Sequence, residues 1–339
     1  MSDGTGRAAA FRPCPLFLAL VLLTLGAAEI DSFLHGHVPP HKTASLSTVF
    51  LSLAIFGIPF AIAARPRSVR GWIDVLAACL ILPMGNAIMP WATARTIRVL
   101  PDVFDAQVYA LDATLGFQPS FAVGDLFARY PAFAATSGAM YGAVLFPAAL
   151  VAAIEAMHGR RRGLGALPMF LLIAGVGFPL YHWLPVIGPA AWFGPSFPFE
   201  NTFSHPPSPR TTMPSLHTAW VVMAFLCSRG MSLPIRTTAG VLATGTIVAT
   251  LGSGAHYLLD LVVACPFVLL VRGLGAIELP VLARQRVEAC LMGAALVGAW
   301  GLAVRGAVHP TALIPAAMVV TVVMSGRWES RLAQAEAAI

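Results

Sequence analysis

The chain has 339 residues, of which 58% are hydrophobic and only 11% charged, with a formal net charge of +6 and a mean hydropathy of +0.78. Soluble domains average about 25% charged residues, so this composition excludes an ordinary water-soluble domain and indicates an integral membrane protein. The apolar runs are continuous, without the strict alternation of a transmembrane barrel, so helices that satisfy their own backbone amides are expected.

In chain order, ten apolar stretches near the ~20 residues needed to cross a bilayer are drawn at 15–33, 44–64, 72–94, 132–156, 164–185, 213–228, 236–254, 257–272, 287–304 and 309–326. The first has the pattern of a signal peptide, but Glu29 and Asp31 follow without an A-x-A site, and an uncleaved helix is expected. The stretch 99–130 reads instead as short interfacial helices, with Phe104, Tyr109, Leu111, Phe117, Phe121 and Phe127 placed to sit among lipid headgroups. The ninth span carries Glu288. These elements form an all-α polytopic bundle, divided into an N-terminal hairpin (1–70), a core (71–275) and a C-terminal hairpin with tail (276–339).

Every second loop is basic: Arg65, Arg67 and Arg70, then Arg160, Arg161 and Arg162, then Arg229 and Arg236, then Arg284 and Arg286. By the positive-inside rule these loops and both termini face the cytoplasm. Asp31, Asp102, Asp105, Asp112, Asp125 and Glu200 fall in the opposite, extracytoplasmic loops. The arginines are scattered singly among helix ends, which does not suit a nucleic-acid surface. Cys14, Cys79, Cys227, Cys265 and Cys290 show no CxxC spacing and are odd in number, so neither a metal site nor a disulfide framework follows. No cofactor and no metal are expected, and His35, His37 and His41 read as a loop near the membrane surface.

Polar groups retained in or near membrane spans are costly and point to function. Ser215 and His217 open the sixth span in "MPSLH", and His256 and Asp260 open the eighth in "GSGAHYLLDL". The intervening two crossings return the chain, so both histidines are expected at one extracytoplasmic face. Thr211 or Thr212 is expected to cap the sixth span, with Pro214 in its first turn, where a missing N–H costs nothing. Such a helix start presents amides to a phosphate, and Ser215 adds a hydroxyl. His256 and Asp260, at i and i+4, share a helical face. A carboxylate on one ring nitrogen leaves the other for attack or proton transfer.

At these residues the sequence resembles the type-2 phosphatidic acid phosphatase superfamily, whose signature is K-x6-R-P, then PSGH, then S-R-x5-H-x3-D. "PSLH" (214–217) stands for the second element and "HYLLD" (256–260) for the end of the third. Leu216 replaces the glycine, Ala249 and Thr250 stand in place of Ser-Arg, and Gly188-Pro189 in "LPVIGPAAW" stands in place of Arg-Pro. These departures resemble the branch containing inositol phosphorylceramide synthase, as do "FDAQVYALDATLGFQPS" (104–120) and "YHWLPVIGPAAWF" (181–193).

The resemblance implies a core of six helices and a phosphohistidine mechanism without metal, with His256 as nucleophile, Asp260 as its orienting partner, His217 as general acid and Ser215 as a phosphate contact. Arg210, Arg95 and Arg98 are the candidate substitutes for the missing phosphate-binding cations. His182 lies at the outer end of the fifth span, near the expected site. The expected substrate is a phospholipid or lipid phosphate in the membrane, and the acceptor a lipid alcohol or water. The reading is a head-group transferase, with a lipid or polyprenyl phosphate phosphatase as alternative and a non-catalytic scaffold or transporter as a third. Asp105 and Asp112 are assigned to turns and helix starts, with a polyol head group as the other possibility.

Overall fold

The computed structural model describes residues 102–144, 166–200, 210–276 and 280–338, together with the single positions 147, 151 and 154. The chain separates into two compact units, Met1–Arg98 with Ala149–Arg161, and Val99–Ala148 with Arg162–Ile339. The second carries the features discussed below. The expected spans at 15–33, 44–64 and 72–94, and much of 132–156, lie outside the described residues.

All regular structure among the described residues is helical, with no strand: α1 (Asp105–Ala113), α2 (Pro119–Arg129), α3 (Pro131–Gly142), α4 (Ala166–Trp183), α5 (Pro189–Phe193), α6 (Leu216–Cys227), α7 (Leu233–Gly252), α8 (Leu258–Gly275), α9 (Ala283–Leu302) and α10 (Ile314–Ala337). Proline falls in the first turn of α2, α3, α5, α7 and α10. Its fixed φ suits that turn, and its missing N–H would have had no intrahelical partner there. Helix α9 runs into a π-helical turn at Ala303–Ala307. Two helical segments are long and apolar enough to cross a membrane, Leu258–Gly275 and Ala283–Ala307, while Met169–Trp183 and Leu216–Cys227 are shorter apolar helices.

Helix α8 is the axis of the unit. It packs on α9 and α10 along one side and on α4 and α6 along the other, while α7 bridges α6 to α2 and α3. Its burial explains its composition: apart from Asp260 in its first turn, "LLDLVVACPFVLL" is apolar all round, as a helix surrounded by other helices requires. Leu259, Val263, Phe267 and Val271 are fully buried. Glycines permit the closest approaches. A Cβ on Gly293 of α9 would lie 2.7 Å from backbone atoms of α8, so the two helices meet there backbone to backbone.

Two expectations are corrected. Leu111 and Phe127 do not sit among headgroups; they are 1% and 2% exposed and belong to the core. Phe127 lies against Gly252, where a Cβ would come within 2.5 Å of its ring. Helix α6 is capped by Ser215, not by Thr211 or Thr212: Ser215 has extended backbone angles and its Oγ accepts from the Thr218 amide at 3.3 Å. Pro214 therefore precedes the helix, and the Met213–Pro214 peptide is cis. Glu288 pairs with Arg284 one turn earlier on α9, at 2.8 Å.

Candidate active site

Four segments meet here, the start of α8 among them. The α6 and α8 starts are tied directly, because the Ser215 amide donates to the Asp260 carbonyl at 3.2 Å. The 184–190 loop is tied to both sides: Thr212 N donates to Val186 O at 3.3 Å, and Ala190 N to Gly254 O at 2.9 Å. The fourth segment is α1, whose Phe104 amide donates to Pro185 O at 2.9 Å.

These ties bring His217, His256 and Asp260 together. The two imidazole centroids lie 6.5 Å apart, with planes inclined by 60°. His256 Nδ1 faces Asp260 Oδ2 at 3.3 Å, and the same oxygen accepts the Tyr257 amide at 2.9 Å. That second bond fixes the carboxylate, which is fully buried, while His256 is 4% exposed. The His256 amide donates to Thr250 O at 3.1 Å, closing the turn that delivers the ring. An imidazole held this way has its Nε2 directed away from the carboxylate, available for covalent or proton chemistry.

His217 is held by aromatic rings. Tyr141 of α3 stacks on it at 4.3 Å with planes 20° apart, its hydroxyl 3.3 Å from His217 Nδ1, and Trp220 packs edge-on at 5.6 Å. The aromatic face of Tyr141 can stabilise a positive imidazole as a cation–π partner.

Two aspartates support the site from below. Asp105 accepts the amides of Ile187 and Gly188, at 3.0 and 2.9 Å. Asp112 accepts those of Leu258 and Leu259, at 2.8 and 3.1 Å, and so caps α8 from 146 residues away. Both are fully buried. Burial pushes the Asp105 carboxyl up to about 6 against the pull of its two amides, and the Asp112 carboxyl up to about 7. Their helix-start and turn roles explain their burial without a head-group ligand.

Gly188 adopts φ +90°, and a Cβ there would lie 2.5 Å from Ala255 O, next to His256. No arginine side chain fits at this position without moving the loop that carries His256. Ala249 and Thr250 are likewise buried in α7, with Thr250 Oγ1 bonded back to Ile247 O at 2.7 Å. Ser215 is fully buried and its oxygen serves its own helix. Arg210 is half-buried at the head of the segment leading into α6. His182 contacts Phe178 on its own helix, Nδ1 lying 3.3 Å from the Phe178 carbonyl. Arg95, Arg98, His35, His37 and His41 lie outside the described residues. Among the described residues no group of three or more His, Cys, Asp or Glu could hold a metal ion.

Sequence reasoning missed Tyr141 and the identity of the helix that Asp112 caps, α8. Tyr141 had no motif around it. The sequence "FDAQVYALD" offered a signal for Asp105 and Asp112, two acidic residues seven positions apart on one face of an interfacial helix, but not for their partners.

Residues 106–274, about half of the chain, match the family model of the PAP2 superfamily. No curated protein and no solved structure matches the chain significantly.

Proposed function

From a PAP2-superfamily domain at 106–274, which makes the protein an enzyme of phosphatase or phosphotransferase type, we propose that it moves a phosphate-linked head group between membrane lipids through a phosphohistidine. The juxtaposition of His217 and His256, with Asp260 behind the latter, carries this reading. With ring centroids 6.5 Å apart, the two imidazoles are near enough to act on one phosphoryl group.

In the first step, His256 Nε2 attacks phosphorus while Asp260 holds the Nδ1 proton. The N–P bond forms as the P–O bond to the donor lipid breaks, and the departing oxygen takes a proton from His217. In the second step His217 removes a proton from an acceptor hydroxyl, whose oxygen attacks phosphorus as the N–P bond breaks. Splitting one hard displacement into two easier ones is the benefit of covalent catalysis. Arg210 is the candidate for the phosphate-binding charge among the described residues, with Arg95 and Arg98 as the other candidates the sequence offers, because positions 188 and 249–250 carry no cation. The PSLH and HYLLD variants favour the inositol phosphorylceramide synthase-like branch, with a phosphoinositol lipid as donor and a lipid alcohol as acceptor.

The arginine-rich alternate loops support a ten-span, multi-pass arrangement with both termini cytoplasmic and the histidines at the extracytoplasmic face. The domain division at 70 and 275 belongs to the same reading.

The test uses purified protein in detergent with a panel of phospholipid donors, each with ceramide or diacylglycerol as acceptor. A lipid product bearing the donor's head group, lost in His256→Ala, is the expected result. Release of inorganic phosphate from a lipid phosphate monoester, with no transfer product, would show that water is the acceptor. Identical lipid turnover by wild type and His256→Ala would refute the mechanism and leave a scaffold or transporter.

A further inference from the structure

At the end of the bundle remote from the histidines, four arginines and two glutamates gather around α10. Arg272 of α8 lies 16 residues beyond His256, about 24 Å along the helix. It is 6% exposed and pairs with Glu336 at 2.6 Å, while its Nε approaches Glu329 at 3.7 Å. Arg229, just past the end of α6, takes the other side of Glu329. Glu336 thus pairs with Arg272, and Glu329 lies between Arg272 and Arg229. Arg327 and Arg331, one turn apart on the exposed face of α10, have no carboxylate partner among the described residues, and Arg331 lies over the Trp328 ring at 4.7 Å.

Arg229, Arg327 and Arg331 line one groove of about 550 Å³ with Val323, Gly326 and Ser330. The surface of α10 beside the groove changes in chemistry along the helix. Toward the middle of α10 the helix exposes Val319, Val320, Val322 and Val323, from 42% to 63%. Toward the tail it exposes arginine and serine. Gly326, at the boundary, leaves the floor open.

We propose that this groove binds a phospholipid of net negative charge, with the acyl chains along the valine face and the phosphate between Arg327, Arg331 and Arg229. Charge and shape both select this occupant. The cluster carries two positive charges more than its carboxylates neutralise, and guanidinium forks match phosphate oxygens. The adjoining apolar strip distinguishes an amphiphile from a free anion. Since Arg229 also grips Glu329, a bound phosphate shares the contact that fastens α10 to the α6 and α8 ends, and so stabilises the fold without touching the histidines.

The test compares delipidated full-length protein with the double variant Arg327→Gln/Arg331→Gln, reading thermal midpoints and native mass spectra. Phosphatidylglycerol, phosphatidylcholine and inorganic phosphate serve as separate probes. Phosphatidylglycerol is expected to raise the wild-type midpoint and remain bound, with at least a tenfold loss of apparent affinity in the double variant. Equal effects of phosphatidylcholine, or a full phosphatidylglycerol response in the variant, would overturn the proposal. Inorganic phosphate alone reproducing the shift would overturn the lipid assignment. Should the double variant not fold, Arg331→Gln alone, with an unliganded midpoint matching wild type, provides the same comparison.

Discussion

Asp112 separates two effects that oppose each other at one side chain. Its oxygens accept two amides at the start of α8, yet its burial pushes its carboxyl from 3.8 up to about 7. A carboxyl raised in the folded state favours folding below its unfolded value, and that contribution is lost as pH rises through about 7. The difference corresponds to on the order of 4 kcal/mol across that window. Asp112→Asn keeps a carbonyl acceptor but carries no charge, and so imitates the protonated form. It should match wild type near pH 4 and become progressively more stable than wild type toward pH 8. Asp112→Ala also removes the charge but orphans the Leu258 and Leu259 amides, at about 1–3 kcal/mol each. Because Asn keeps only one of the two acceptor oxygens, Asp112→Ala should fall about 1–3 kcal/mol below Asp112→Asn at every pH, and lose turnover because His256 and Asp260 sit on the frayed turn. Unfolding of detergent-solubilised protein, followed by tryptophan fluorescence from pH 4 to 8, measures both differences. Equal stability of the Asn and Ala variants would refute the capping argument. An unchanged pH slope in Asp112→Asn would refute the buried-charge argument.

Two further substitutions probe the surroundings of the histidines. Tyr141→Phe keeps the ring stacked on His217 and should hold kcat within about threefold, whereas Tyr141→Leu removes the aromatic face and should lower kcat roughly tenfold with KM little changed. Equal kcat for the two would show that the stack does not position His217. Gly188→Ala forces an L-residue to φ +90°, at about 1–2 kcal/mol, and drives a Cβ against Ala255 O. Both the thermal midpoint and turnover should fall, and an unaffected midpoint would refute the close approach.

What could be read from the sequence was set by chain return. His217 and His256 were paired because two helical crossings between them bring the chain back to one face, and HYLLD placed Asp260 one turn from His256. The all-helical character followed from composition. Contacts without such a rule stayed hidden. Nothing local connects Asp112 to Leu258, or Tyr141 to His217, because both pairs form only when α1 and α3 dock against helices far along the chain. The start of α6 was misplaced for a local reason: Thr211, Thr212, Pro214 and Ser215 each suit a helix entry, and only the extended backbone of Ser215 selects among them. Gly188 was visible as a departure from the family pattern, but its cause lies in Ala255, 67 positions later.

The backbone bond from Ser215 to Asp260 couples the starts of α6 and α8. A displacement of either start is therefore felt at the other, and a substitution that disturbs the setting of His217 is expected to disturb that of His256 as well.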